Sequence, residues 1–237
     1  MMPPDRLPAR PKAFTICSRV DFKATELFSA QLAEVPNGFF TSLKLLNTAT
    51  ANRTITLRAI SDKGELLAAP ATIQLPAGGI IEKDVSEIFS TASQLVGSLR
   101  VAADGQGIVG DVVFGDPVSL GYAAALSLQP QGSTQAIFSQ VANAAGYYTG
   151  LALYNPGQES SDVRISVFKE DESMSGETSL ALPGGHRLSK LLYQVVKESA
   201  DQVGGYIIIR STLPLISQAL FSDWQDMLAA IPPTVLK

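Results

Sequence analysis

The chain is poor in the residues that most often carry chemistry. Its 237 residues include one cysteine, Cys17, one histidine, His186, and one tryptophan, Trp224. A single cysteine excludes an intramolecular disulfide, so cysteine usage does not report the redox compartment. Zinc sites draw on clustered Cys and His, and one of each is no cluster. The turns Asp62-Lys-Gly-Glu65 and Glu170-Asp-Glu172 could lend oxygens to calcium but lack an alternating Asp/Asn pattern, and they read as solvated hairpin turns. The glycine turns Leu75-Pro-Ala-Gly-Gly79 and Leu182-Pro-Gly-Gly185 lack the following helix and lysine of a phosphate loop. No metal and no cofactor are expected. Charge is thin as well, at 17% of residues with a net of −4, which gives no footprint for nucleic acid or an anionic membrane. No apolar run approaches the roughly 18 residues of a membrane-spanning helix.

What the chain does have is a repeat. Gly38-Phe-Phe-Thr-Ser-Leu-Lys-Leu-Leu-Asn47 returns as Gly146-Tyr-Tyr-Thr-Gly-Leu-Ala-Leu-Tyr-Asn155, with five of ten positions identical. The echo runs further, in the same order. Phe28-Ser-Ala-Gln-Leu-Ala33 is answered by Phe138-Ser-Gln-Val-Ala142, and Leu75-Pro-Ala-Gly-Gly79 by Leu182-Pro-Gly-Gly185, each one residue shorter. Val96-Gly97 is answered by Val203-Gly204, and Phe114-Gly-Asp116 by Phe221-Ser-Asp223. Landmarks in one order at nearly constant offset establish a tandem duplication.

Two copies show which strand face keeps its character. Phe39, Thr41, Leu43, Leu45 and Asn47 match Tyr147, Thr149, Leu151, Leu153 and Asn155, whereas Ser42 and Lys44 on the other face match Gly150 and Ala152. Successive strand side chains point to opposite faces, so the first set is predicted to be buried, with Ser42 and Lys44 pointing outward. Ile55, Leu57 and Ala59 behave the same way against Val163, Ile165 and Val167. A period of two, in register across both copies, is a strand signal.

The composition, 46% hydrophobic, supports two cores. Residues 1–12 carry four prolines and little to bury, and read as a disordered lead without the apolar stretch of a signal peptide. The first repeat is placed at 13–122 and the second at 123–237. Strands are predicted near 26–34, 38–47, 53–61, 65–75, 79–84, 95–103 and 107–115, separated by turn signals such as Asp62-Lys-Gly64 and Asp104-Gly105. Ser189 is predicted to cap a short helix carrying Leu191, Leu192, Val195 and Val196, with 86–93 as its counterpart. Ala123-Ala-Ala-Leu126 is expected to be a strand leading to an exposed joint at Gln129-Pro-Gln-Gly-Ser133. A third, partial copy of that strand appears at Leu228-Ala-Ala-Ile231, so the chain could be a slice of a longer array. Tyr206-Ile-Ile-Ile209 is apolar on both faces, unlike Leu99-Arg-Val-Ala102 aligned with it. Either the second half covers that strand twice or it presents an apolar surface. The fold class is thus all-β: two tandem antiparallel β-sandwich domains of about seven strands, each with one short helix.

Candidate site residues are few. His186 follows a glycine turn opposite Ile80 of the first copy, and reads as a surface turn histidine with no partner at catalytic spacing. Asp116 and Asp223 recur after the Phe-ending strand, where an aspartate hydrogen-bonds its own turn. Tyr147, Tyr148, Tyr154, Tyr193, Tyr206 and Trp224 all fall in the second copy. Exposed Tyr and Trp suit stacking on sugar rings, which makes Tyr148, Tyr154 and Trp224 the candidate ligand contacts of a carbohydrate-binding module. The plainer reading puts Tyr147 in the core and Tyr148 at a contact between the halves.

The run Phe-Ser-Gln-Val-Ala, Gly-Tyr-Tyr-Thr-Gly-Leu-Ala-Leu-Tyr-Asn-Pro-Gly, Leu-Pro-Gly-Gly, Val-Gly-Gly-Tyr-Ile and Pro-Leu-Ile-Ser-Gln-Ala-Leu-Phe resembles an immunoglobulin-like repeat of bacterial secreted and surface proteins. The resemblance covers nearly all of 26–224 and carries no catalytic motif. It implies a non-catalytic spacer or interaction module, extracellular or on the cell surface, with a protein or cell-surface glycan as partner and neighbouring repeats beside it.

Overall fold

The computed structural model describes residues 23–36, 38–91, 94–116, 122–223, 225 and 227–235. The lead at 1–12, the stretch 13–22, Cys17 and Trp224 lie outside the described residues. Within them the protein is built almost wholly of antiparallel strands. The first half runs β1 (Glu26–Glu34), β2 (Phe40–Asn47), β3 (Arg53–Ile60), β4 (Ala71–Leu75), β5 (Ile80–Asp84), α1 (Val85–Ile88), β6 (Leu95–Ala103), β7 (Ile108–Asp116) and β8 (Tyr122–Ser127). These strands form two sheets, β1-β6-β3-β4 and β5-β2-β7-β8, whose inner faces enclose one core. The second half runs β9 (Ser133–Phe138), β10 (Tyr148–Tyr154), β11 (Ser161–Phe168), β12 (Met174–Leu182), β13 (Arg187–Leu191), α2 (Leu192–Val195), β14 (Tyr206–Ser222), β15 (Leu228–Ile231) and β16 (Thr234–Val235).

The pairing repeats strand for strand. β10 lies between β13 and β14 as β2 lies between β5 and β7, and β11 pairs β12 and β14 as β3 pairs β4 and β6. One strand, β14, does the work of two: its first part pairs β9 and β11, and its last part pairs β10 and β15. In the first half the same passage is broken at Asp104-Gly-Gln-Gly107 between β6 and β7, whereas Thr212-Leu-Pro214 crosses between layers without a turn. β8 pairs β7 and β15 pairs β14 in matching registers, so Ala123–Leu126 and Leu228–Ile231 occupy equivalent places. By pairing, β8 belongs to the first half's sheet although the sequence-based boundary falls at 122/123.

The shared ten-residue signature is explained by what β2 and β10 touch. Leu43, Leu45, Leu151 and Leu153 are buried in their respective cores. At the start of the strand Thr41 Oγ1 donates to Ala33 O (2.8 Å) and accepts from Ala33 N (3.0 Å), tying β2 to β1 of the facing sheet. Thr149 does the same to Ala142, at 3.3 and 2.9 Å. At the end of the strand Asn47 Nδ2 donates to Ala51 O, Leu75 O and Pro76 O, while its Oδ1 accepts from Ala49 N. Asn155 bonds Glu159 O, Leu182 O and Gly157 N in the same places. Each polar residue that the two copies of the signature share is therefore fully buried and satisfied by backbone.

The faces differ from expectation at two points. Phe39 and Tyr147 precede their strands and are not in the core: 36% and 37% exposed, they lie against Phe114 and Phe221 respectively. Ser42 is buried, not outward in water. The helices stand where predicted but last one turn each. Ser189 does not cap α2; it pairs Ala152 within β13, and Leu191 occupies the cap position, its N–H donating to Gln194 Oε1 at 3.2 Å. Of the strand predicted at 65–75, only Ala71–Leu75 forms.

Hydrogen bonds also correct the alignment of the copies. Gly79 N and His186 N each donate to the carbonyl of the proline three residues back, so His186 answers Gly79 and Arg187 answers Ile80. The glycine that the turn requires is Gly78 in one copy and Gly185 in the other, at φ +68° and +75°. Gly97 answers Gly205 rather than Gly204, since a Cβ on either would collide with the carbonyl oxygen of Ile60 or Phe168, the last residues of β3 and β11. Phe28 and Phe138 are not counterparts: by register Phe28 answers Ile137, and Phe138 answers Ser29.

Truncating Leu45 or Leu153 to Ala should cost about 2–5 kcal/mol, the usual range for a core leucine. Asn155→Ala removes one donor group and one acceptor from three backbone partners and should cost about 1–3 kcal/mol. Chemical denaturation of the three variants measures both. Losses well under 1 kcal/mol at all three would contradict the account of the signature strand.

Candidate functional site

The surface where the halves meet holds most of the molecule's unusual side chains. On the first half it consists of the outer side of β1 and β6 and the end of β3. On the second it is the outer side of β13, β10 and the last part of β14. Phe28, Ala30, Ile60, Ala152, Tyr154 and Ile216 form a small apolar cluster there, with Phe28 and Tyr154 rings 6.3 Å apart. A second cluster joins Ala33, Phe114, Tyr122 and Ala124 to Leu228, where β8 and β15 run beside each other.

Polar groups fix the fit. Arg187 lies across the joint, 6% exposed, with Nε donating to Asp62 Oδ1 at 2.7 Å. Its Nη1 donates to Ala30 O at 3.1 Å and to Gly97 O. Burial lowers the guanidinium's pKa and Asp62 acts against that; an arginine stays charged in either case. β1 bulges between Ser29 and Leu32, which turns Ala30 O toward the arginine and Gln31 N toward Gln218. Gln218 Oε1 accepts from Gln31 N (3.0 Å) and Ser29 Oγ (3.1 Å). Gln129 exchanges backbone hydrogen bonds with Phe28 and donates its side-chain amide to Ser217 O at 2.8 Å. The joint at 129–133, expected to be exposed, is held at its first residue from both sides.

Of the candidate aromatics, Tyr148 and Tyr154 do not form an exposed binding platform. Tyr154 is 1% exposed and buried under the first half, which corrects its placement as a ligand contact. The cause lies outside its strand: β10's outer face is covered by β1 and β6, and alternation within one strand cannot report that. Tyr148 is half-buried with its hydroxyl near that of Tyr122, at the contact between halves. Trp224 lies outside the described residues. His186 sits half-buried on its turn, its carbonyl accepting from Asn155 N and its ring near Gly64 of the first half's hairpin. Asp223 accepts from Gln225 N and Met227 N, both at 3.0 Å, the turn role expected of it. Asp116 is buried next to Tyr122. A shallow open depression of about 570 Å³ lies between the 169–171 turn and residues 198–203, bordered by Glu170, Asp171, Glu198 and Asp201. Among the described residues no group of three or more His, Cys, Asp and Glu is placed to hold a metal, and no helix is long and apolar enough to cross a membrane.

Sequence reasoning missed Arg187, Gln218 and Gln129, the residues that orient the joint. The signal available was Arg187 itself, a charged residue where the first copy has an apolar one. The misplaced gap in the glycine turn hid its counterpart, Ile80.

Comparison by sequence gives no matching protein family and no matching curated protein. Comparison by structure gives a chain described as a β-glucuronidase from glycoside hydrolase family 2, at 7% identity and a TM-score of 0.19. The match covers 90% of this chain and 24% of that one. At that score the likeness carries no argument about fold or activity.

Two outcomes test the joint. Arg187→Met keeps the aliphatic stem but leaves two inward carbonyls without a donor; Asp62, half-exposed, stays hydrated. The expected loss is about 1–3 kcal/mol, and calorimetry should show the single transition broadening or dividing as the halves uncouple. An unchanged melt would remove Arg187 from this role. Burial raises the phenol pKa of both Tyr122 and Tyr154, helped at Tyr122 by Tyr148 and Asp116, and partly offset at Tyr154 by Arg100. The unfolded phenols ionise near pH 10 while the folded ones keep their protons, so stability falls as pH rises through about 10. Tyr122→Phe and Tyr154→Phe should each flatten that alkaline fall, read from denaturation midpoints across pH 8 to about 11.

Proposed function

We propose that the protein is a non-catalytic spacer or interaction module of an exported protein, in the manner of an immunoglobulin-like repeat, with its two halves acting as one stiff unit. One observation carries the reading. The polar positions that both copies share, Thr41 with Thr149 and Asn47 with Asn155, are taken up by the fold's own backbone. The positions where the copies diverge include those on the faces where the halves meet, among them Phe28 with Ile137, Arg100 with Ile208 and Arg187 with Ile80. Duplication has thus kept a scaffold and varied its surfaces, the pattern of a module whose work is contact. A glycan partner is not favoured by the tyrosines first considered, because Tyr154 is buried and Tyr148 is half-covered. A protein partner suits the described surface better.

The test uses the purified chain and the cells that produce it. Fractionation with an antibody to the chain should recover it in the envelope or the medium, and a panel of glycoside, ester and peptide substrates should show no turnover. Turnover that survives purification to homogeneity and disappears in His186→Ala or in a variant of the 169–171 turn would overturn the non-catalytic reading. Recovery only in the cytosol would overturn export.

A further inference from the structure

Each face of the joint has a counterpart on the other half, and among the described residues neither counterpart is covered by another part of the chain. The first half's mating face presents Phe28, Ser98, Arg100 and Ile60. By register, the second half carries Ile137, Tyr206, Ile208 and Phe168 at those places. The second half's mating face presents Tyr154, Arg187 and Ile216, and the first half carries Leu46, Ile80 and Val109 there. All seven counterpart residues are partly or largely exposed, Ile80 at 63%. Phe168 and Tyr206 stack at 5.0 Å on the open side of their sheet.

The substitutions are matched. Inside the joint, Arg100 lies close enough to the Tyr154 phenol to hold its pKa down, and Arg187 reaches the first half's carbonyls. On the unused faces both sides of these pairings are apolar: Ile208 replaces Arg100 while Leu46 replaces Tyr154, and Tyr206 replaces Ser98 while Ile80 replaces Arg187. Exposed apolar residues that adjoin one another on a sheet, unlike single ones, mark an interaction surface. A buried polar group without a partner is costly, so a second joint of the same geometry would need both sides to change together. Charge runs the same way. Arg210, and Arg164 paired to Glu177 at 3.6 Å, border the apolar residues on the second half; Asp111, and Glu82 paired to Lys44 at 3.5 Å, border those on the first.

We propose that the protein associates with itself head to tail, the outer face of β9, β14 and β11 of one copy receiving the outer face of β5, β2 and β7 of the next. The arrangement is that of the inner joint. Ile137 meets Leu46 of the next copy as Phe28 meets Tyr154, and Ile80 rests on Phe168 and Tyr206 where Arg187 rests at Gly97. Such a contact is heterologous and leaves one face free at each end, so it adds copies beyond the dimer until its rotation closes a ring or the chain stays open.

Sedimentation velocity on the full chain, from micromolar to millimolar protein, tests this. The average mass of the native chain should rise continuously past that of a dimer. Ile208→Arg, which restores the first half's residue, and Ile80→Arg, which restores the second half's, should each return it to monomer with an unchanged melting temperature. Mixing the two variants is decisive, because each keeps the face the other has lost: the mixture should form dimers and nothing larger. A native chain that is monomeric throughout overturns the proposal. So does a dimer abolished by Ile208→Arg but indifferent to Ile80→Arg, which would be a face pairing with itself, and so does a mixture that stays monomeric.

Discussion

A sandwich of two sheets must close its ends as well as fill its middle, and in this protein one strand per half does both. β2 and β10 place two leucines in the core and put a threonine at one end and an asparagine at the other, each bonded to backbone of the facing sheet. The residues beneath such an end carry backbone groups that no ladder can satisfy, and a buried unpaired amide or carbonyl costs more than a typical hydrogen bond returns. Threonine serves because its hydroxyl donates and accepts at once. Asparagine serves because its amide reaches several carbonyls while its oxygen holds the following turn. The spacing Thr-x-Leu-x-Leu-x-Asn is then dictated by the strand period, and the rest of each half is hung from it.

Most of the strands and the buried leucines, isoleucines and valines of β2, β3, β10 and β11 were legible in the sequence because period-two patterning and turn glycines are local signals. Position relative to a gap was not. Matching Phe28 to Phe138 because both precede serine slips the register by one residue, and a slip of one exchanges the faces of a strand. Phe138 is wholly inside its core, whereas Phe28 lies on the outside of its sheet under Tyr154. With Ser29 set against Phe138, and Ala33 against Ala142 through their bonds to Thr41 and Thr149, the offset is the same at both ends and this stretch needs no gap. The same kind of slip at the glycine turn set His186 against Ile80 and left Arg187 without a comparison. Tyr154 shows a different limit. Alternation tells which side of a strand is opposite the core, but whether that side meets water depends on a neighbour that the strand's own residues do not describe.

Equivalent halves with different surroundings must diverge wherever one is covered and the other is not. The joint shows how. Its apolar content is small, and its orientation comes from a buried arginine and two glutamines whose partners are the Asp62 carboxylate, the Ser29 hydroxyl and backbone groups of β1, β6 and β14. Buried charges of this kind contribute less to net stability than their short distances suggest, because desolvation offsets much of the attraction. What they do supply is direction. Sliding the halves by one residue would leave Arg187 facing no carbonyl and Gln218 facing no amide, each at the full cost of an unpaired buried group.

The same reasoning explains why the unused faces look as they do. An apolar face permits many registers at similar energy, so it holds a partner without specifying how, unless the shape beneath it is already determined. Here the shape is determined, because each unused face is built on the strands, turns and close glycine contacts of its covered counterpart, Gly205 at Phe168 repeating Gly97 at Ile60. Polar direction is needed where two halves must find one arrangement during folding of a single chain. Where two folded surfaces already fit, apolar contact suffices, and exchanging Arg187 and Arg100 for Ile80 and Ile208 removes the desolvation penalty that a second polar joint would carry.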